Sequence, residues 1–472
     1  MKVFKIWCLT FLAITSFSIG SKAEPPEVVK FLSDYVQIPS ITGHEEEAAL
    51  WLENYADSAG FHTKMLHDDS ASFNLAASLY PLDSDKPNVV FFNHIDVVKE
   101  GEQDLWKYPP WSGAIEEGQV WGRGAIDNKG MAAMQLFAML EFLDEEGNPG
   151  LPFNVTLLAV SNEEMGGELG AKRVVEDYLD KLDPVVVLGE GGTGLPGLIG
   201  RYPEKTGYGV SIAQKTRVEL KLKAELESAG HGSVPPDRYS NKVLVEALHE
   251  ILERRQSIEI TPPVEVMFHE LGRQEGGIRG FFLRNITALR PFLGSTFKDD
   301  ELLRSLVLNS VTITDISNPE TAGNQVPQWA HATLDCRLLP GTSSEDFIEE
   351  IEDLVDDKDV EIELVRQRTP ANFTPPDQYY QILKEAILDV DPNGIVIPIL
   401  FPASNDNSYF RAQNIPVYGI LPGRLSMEQM RSIHNVNERI DIDEVVEGTE
   451  AYKAFLRKLE ENPPEKMGDF NP

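Results

Sequence analysis

Two kinds of apolar pattern alternate along this chain. Val89–Phe92 and Pro184–Leu188 are continuous apolar runs, and Phe153–Val160 is largely so. Such runs predict strands buried on both faces of a parallel sheet. Runs of this kind return at Ile395–Leu400 and Val417–Leu421. Between them, after Gly207, the pattern changes. Val218, Leu220, Leu222 and Ala224 alternate with Glu219, Lys221 and Lys223, which predicts a strand buried on one face only. Alternation recurs near Val311–Thr314, Ala330–Arg337 and Val360–Leu364, with helices predicted over Asn241–Arg254 and from the Ser343/Asp346 cap to Val355. Strand, helix, strand, strand, helix, strand is the order of a ferredoxin-like α+β unit. An insert from about Gln256 to Asn309 separates its first helix from its second strand. Amphipathic helices are predicted over Glu27–Tyr35, Glu45–Ala59 and Ile442–Leu459, and a buried helix over Met131–Leu143. The pattern therefore predicts an α/β domain with a mixed, mostly parallel sheet flanked by helices, formed by residues 24–206 and 369–472. An α+β domain, residues 207–368, interrupts it.

Composition narrows the function. Hydrophobic content of 42% and charged content of 25% suit a soluble globular chain of 472 residues. The net charge of −34 argues against nucleic acid or an anionic membrane as partner, since both reward basic surfaces. Residues 1–23 form a separate unit: Lys2 and Lys5, an apolar run Ile6–Ile19, then Ser21-Lys22-Ala23. This reads as a secretory signal peptide cleaved after Ala23, with an uncleaved anchor as the alternative, and predicts a secreted or periplasmic protein. Cys8 would leave with it and Cys336 then has no partner, so stability must rest on the core or on metal.

The chemistry gathers where the apolar strands end. Val89–Phe92 runs into Asn93-His94-Ile95-Asp96, Phe153–Val160 into Asn162-Glu163-Glu164 with Gly166 and Gly167 behind, and Pro184–Leu188 into Gly189-Glu190. In open α/β sheets, ligands bind at that edge. Asp127 stands in the glycine-rich turn Trp121–Gly130, ahead of the buried helix. Alone it reads as a helix cap. Several carboxylates at one sheet edge, however, would repel strongly unless cations neutralised them. His434, late in the chain, supplies a further nitrogen donor. His44 reads as an exposed turn residue, and Trp106–Gly113 as packing or a wall of the site.

These stretches resemble the di-zinc hydrolases that include aminoacylase, carboxypeptidase G, succinyl-diaminopimelate desuccinylase and carboxypeptidase S. The matching pieces are NHIDVV at His94, GRGAIDNKG at Asp127, NEEMGG at Glu163, GEGG at Glu190, SAGHGSVPP at His231, LDCRLLPG at Arg337 and HNVNE at His434. The resemblance implies a zinc-peptidase-like catalytic domain and a lid and dimerisation domain. It implies two Zn²⁺, replaceable by Co²⁺ or Mn²⁺, one on His94, Glu190 and Asp127, the other on Glu164, His434 and a bridging Asp127. Ions about 3.5–4 Å apart would share the attacking water. Glu163 would be the general base and Asp96 would orient His94. His231 would reach an oxyanion in a partner subunit's site, and Arg337 would bind a substrate carboxylate. Asn324 is a substrate contact or a turn residue. Two departures from the family pattern are Asn162, where an Asp is common, and Pro402–Arg411, where Asn405 and Ser408 replace a Thr and an Arg. The latter loop is expected to shape substrate binding.

The expected activity is exported, zinc-dependent cleavage of an amide beside a free carboxylate, as carboxypeptidase or N-acyl-amino-acid hydrolase, with a small peptide or N-acyl amino acid as partner and a homodimer through the lid. The alternatives are an aminopeptidase or dipeptidase of the same fold, and a catalytically silent zinc- or peptide-binding relative. In the insert, Phe281, Phe282, Leu283, Phe292 and Leu293 read as the lid's own core or as an acyl pocket.

Overall fold

A computed structural model describes residues 24–465 apart from 70–71, 145, 199–200, 227–229, 291–296, 298, 321 and 371. The expected signal peptide, Phe292 and Leu293 lie outside the described residues. In chain order the strands are β1 (His62–Asp69), β2 (Ser72–Ser78), β3 (Asn88–His94), β4 (Ala114–Glu116), β5 (Gln119–Trp121), β6 (Asn154–Val160), β7 (Pro184–Pro196) and β8 (Thr206–Gln214). They continue with β9 (Thr216–Glu225), β10 (Ser310–Ser317), β11 (Trp329–Leu338), β12 (Val360–Gln367), β13 (Ile395–Phe401), β14 (Val417–Arg424) and β15 (Arg439–Asp441).

The large sheet has the order β1-β2-β6-β3-β7-β14-β8-β13. Its centre is parallel, with β3 between β6 and β7 and β14 beside β7, while β1 and β2 are antiparallel. The continuous apolar runs follow from burial on both faces. Val89 and Phe91 enter one core, beneath the helices Glu27–Val36, Lys129–Leu140 and Ile442–Glu461. Val90 and Phe92 enter the opposite core, with Val174 and Val175 of the helix Ala171–Leu182 and Phe410. A side chain of that size contributes about 1.5–3 kcal/mol when fully buried. A polar residue at any of these positions would break one of the two layers.

The second sheet is antiparallel in the order β10-β11-β9-β12, the split arrangement expected of the ferredoxin-like unit. Val218, Leu220, Leu222 and Ala224 pack with Ala332, Leu334 and Cys336 against the helices Ser240–Glu253 and Ser344–Val355. The other face carries Glu219, Lys221, Thr333, Asp335 and Arg337, which are half-buried. Cys336 is a free, buried thiol. A three-stranded ribbon, β15-β5-β4, brings the late segment around Arg439 beside Trp121.

Two expectations are corrected here. β8 does not belong to the four-stranded unit, which begins at Thr216, because Thr206–Gln214 pairs with β13 and β7 in the large sheet. Gly207 and Gly209 interrupt its apolar pattern and hide it. The insert helices pack largely against the large sheet: Val264, Met267 and Phe268 share a cluster with Ala213 and Leu400. Phe281 and Phe282 are 56% and 49% exposed, so they are not core residues, whereas Leu283 packs against this cluster. Among the described residues no helix is long and apolar enough to cross a membrane.

Candidate metal centre

His94 is the last residue of β3, and the turn Asn162–Gly167 follows β6 directly. Glu190 lies within β7, where the pairing with β14 slips register beyond Gly419. Asp127 precedes the helix Lys129–Leu140, and His434 sits between the helix Met427–Ser432 and β15. Parallel pairing of β6, β3 and β7 thus brings Glu163 and Glu164, His94 and Glu190 to one sheet edge.

Asp127 stands at the centre. Its Oδ1 lies 3.0 Å from His94 Nε2, and its Oδ2 lies 3.1 Å from His434 Nε2. Glu190 Oε2 is 3.5 Å from His94 Nε2, and Glu164 Oε1 is 3.1 Å from His434 Nε2. Two triads result, His94/Asp127/Glu190 and Asp127/Glu164/His434, each with donor atoms within 4.8 Å of one another. The Glu163 carboxylate joins a third such group with His94 and Glu164. The donor set fits divalent cations: two imidazoles and three carboxylates, with one acid common to both triads. Without cations, protons take their place. Hydrogen bonds to Asp127 and Glu164 push His434 up to about 11. Burial opposes charge on His94, but Asp127, Asp96 and Glu190 outweigh it and hold its pKa well above the ordinary value. Asp127 is buried too, yet His434 and His94 take it well below the carboxylate range. Burial pushes Glu164 up to about 7 and raises Glu163, against which the Arg368 guanidinium works.

The surrounding shell holds residues the sequence did not single out. Buried Glu438 accepts from the amides of Ile126, Asp127 and Gly124 and from Arg123 Nη1. Gly124 has φ +87°, a conformation that suits glycine in this cradle. Arg368 pairs with Glu163 and with Asp406. Gly167 has φ +74°, and a Cβ there would lie 2.1 Å from the Asp406 carboxylate. Asp96 has two tasks. Its backbone carbonyl accepts from His94 Nδ1 at 2.8 Å, with the Asp96 Oδ1 3.6 Å from the same nitrogen. The carboxylate also accepts from the amides of Glu163 and Glu164 at 3.0 and 3.1 Å and from Thr42. Asp96 therefore fixes the turn that carries both glutamates. The loop Pro402–Arg411 is also redefined: Asn405 and Asn407 are buried and donate to the Glu190 carbonyl, while Ser408 bonds back to Asn405. It supports Glu190 from behind, and only Ala403 and Ser404 of it face the open space.

That space is a pocket of about 260 Å³. Asp127, Glu163, Glu190 and His434 form one side, Met131, Phe401, Leu421, Leu425, Met430 and Ile433 give an apolar stretch, and Asn128, Thr193 and Ser404 also line it. The remaining expected site residues lie in the four-stranded unit. Exposed His231 and Asn324 meet each other, Nε2 to Nδ2, at 2.9 Å. Arg337 is held by Asp335 on its own strand, Nε to Oδ1 at 2.5 Å. None of these three joins the carboxylate cluster within this chain.

The sequence profile of peptidase family M20/M25/M40 matches residues 90–458, which is most of the chain and all of the cluster. The chain belongs to this family. Among curated M20 relatives, the N-fatty-acyl-amino acid synthase/hydrolase PM20D1 of Mus musculus is 25% identical, over 93% of this chain and 91% of that one. A probable carboxypeptidase S-like 2 of Dictyostelium discoideum is 25% identical, over 83% and 75%. The fold matches an M20 family metallo-carboxypeptidase from Sulfolobus solfataricus with TM-score 0.70 and 19% identity, covering 92% of this chain and 99% of that one. M20 membership makes the protein a hydrolase of the metallopeptidase and amidohydrolase class.

Proposed function

We propose that the protein is an exported, zinc-dependent hydrolase that cleaves an amide beside a free carboxylate, acting on a substrate whose acyl part is apolar. The observation that carries this reading is the pocket. A dinuclear donor set and a spare carboxylate, Glu163, open directly onto an apolar slot. His94, Asp127 and Glu190 would hold one ion and Asp127, Glu164 and His434 the other. Bound there, two ions supply carbonyl polarisation and an activated water. Glu163 takes the proton of the attacking water and passes it to the leaving amine nitrogen. A metal-binding protein without turnover has no use for an extra buried carboxylate beside complete triads.

The four-stranded unit acts in this reading as lid and dimerisation domain. β10 is its edge strand, and His231 with Asn324 is exposed on the same unit, where a partner's site would meet them. Arg337 exchanges Asp335 for the substrate carboxylate by a bidentate pair. Export rests on the sequence of residues 1–23. The experiment is hydrolysis of a panel: dipeptides with free or blocked amines and carboxylates, and N-acyl amino acids with short and long chains, each with and without chelator. Chelator-sensitive cleavage that needs the free carboxylate and favours apolar acyl groups is expected. Cleavage only of substrates with a free amine would assign an aminopeptidase or dipeptidase instead.

A further inference from the structure

The chain crosses between the large sheet and the four-stranded unit twice, at Lys215 between β8 and β9 and at Arg368 after β12. The crossings are tied together, since the Arg368 amide donates to the Arg217 carbonyl at 2.9 Å. Both ends of the second crossing grip one turn. Arg366 Nη1 donates to the Met165 carbonyl at 2.6 Å. Arg368, only 5% exposed, donates from Nη2 to the Glu163 carbonyl at 2.6 Å and to Glu163 Oε1 at 2.8 Å, while its Nη1 meets Asp406. Asp96 holds the amide side of the same turn. A guanidinium needed only to neutralise Asp406 would not divide its nitrogens this way. The planar fork instead fixes both the backbone and the side chain of Glu163. Among the described residues no hydrogen bond engages the second oxygen of Glu163, and Glu163 lines the pocket.

We propose that Arg368 is a positioning residue: it clamps Glu163 by Oε1, leaves Oε2 for the reaction, and makes the placement of that carboxylate depend on the orientation of the four-stranded unit. This rests on Glu163 being the proton carrier. Movement of the lid then shifts the base directly, because the hinge residue and the clamp are the same side chain.

The test compares the metal-loaded full chain with Arg368→Lys, Arg368→Gln and Arg368→Ala, using whichever panel substrate the unaltered protein cleaves. Arg368→Gln lowers kcat about 100-fold, the scale of a misplaced reacting group. KM and metal content stay close to those of the parent, which separates lost positioning from lost binding. Arg368→Lys falls less, and Arg368→Ala regains turnover with added guanidinium ion but not with ammonium. A kcat equal to the parent's in both the Lys and Gln variants overturns the proposal, as does a loss that follows metal content. Should the parent cleave nothing in the panel, the functional reading fails and hydrogen exchange decides this one. Faster exchange across Glu163–Gly167 in Arg368→Lys, with the helix Lys129–Leu140 unchanged, supports the clamp, and unchanged exchange in the turn overturns it.

Discussion

The Glu438 carboxylate holds the backbone of Asp127: its Oε1 accepts from the Asp127 amide at 3.0 Å, and its Oε2 accepts from Arg123 at 2.6 Å. Both charges are buried. Replacing one partner of such a pair leaves the other uncompensated, at a cost of about 3–5 kcal/mol. Glu438→Gln would also turn amide hydrogens toward N–H donors. The expected outcome is a lower urea midpoint together with metal affinity reduced about 10–100-fold, because Asp127 loses its support. Unchanged stability and affinity would show that the cradle is dispensable.

Glu163→Gln keeps the size of the side chain and removes its basicity. Metal stoichiometry should stay at the parent value while kcat falls about 100- to 10,000-fold, the usual contribution of a positioned base. Metal analysis alongside steady-state kinetics checks it. Full turnover by the variant would remove Glu163 from the mechanism.

Protons and cations compete for the centre. The surrounding carboxylates raise His94 above the ordinary imidazole value and push His434 up to about 11. Each imidazole must be neutral to ligate. Metal binding near neutral pH should therefore release protons from the imidazoles and from Glu164, whose pKa is pushed up to about 7, and affinity should rise with pH. Calorimetry in buffers of different ionisation heat counts them. Zero release would mean that the rings are neutral before metal arrives.

Lys215 gives a separate signal in stability. Burial, followed by the nearby Arg337 charge, lowers its pKa to about 8, and its ammonium donates to the Leu308 carbonyl. The folded state thus binds fewer protons than the unfolded one between pH 8 and the ordinary lysine value of 10.5. Stability contributed by this group rises with pH across that window and is lost as pH falls below it. The span corresponds to on the order of 3 kcal/mol. Lys215→Met should flatten that rise in unfolding free energy relative to the parent. Parallel curves for the two proteins would refute the assignment.

Most of the cluster was readable from local signals: an apolar strand before His94, Glu163/Glu164 and Glu190, and glycines around Asp127; His434 has none and is read from the resemblance of HNVNE. The supporting shell carries no such signal. Arg123 and Glu438 are 315 residues apart, and Arg368 and Glu163 are 205 apart. Arg123, Glu438 and Arg368 each read alone as an ordinary surface charge, and only the fold shows them buried against their partners. Asp96 was found, but its carboxylate and its carbonyl do different work, and sequence cannot separate two acceptors on one residue. The loop Pro402–Arg411 is expected to shape substrate binding because Asn405 and Ser408 depart there from the family pattern, yet the side chains that matter in it are the amides of Asn405 and Asn407. They turn inward because the Glu190 carbonyl, at a slip in strand register, needs donors.

His434 reaches Glu164 across 270 residues, and Glu438 supports Asp127 from the same late segment. In the order of synthesis, then, His94, Asp127, Glu163, Glu164 and Glu190 leave the ribosome before residue 191, and His434, with the supporting Glu438, follows only after β14. Domains fold as they emerge, N-terminal parts first. A nascent chain therefore carries an open, half-built acidic edge until β15 joins its ribbon, and the metal centre is complete only once that late segment has been made.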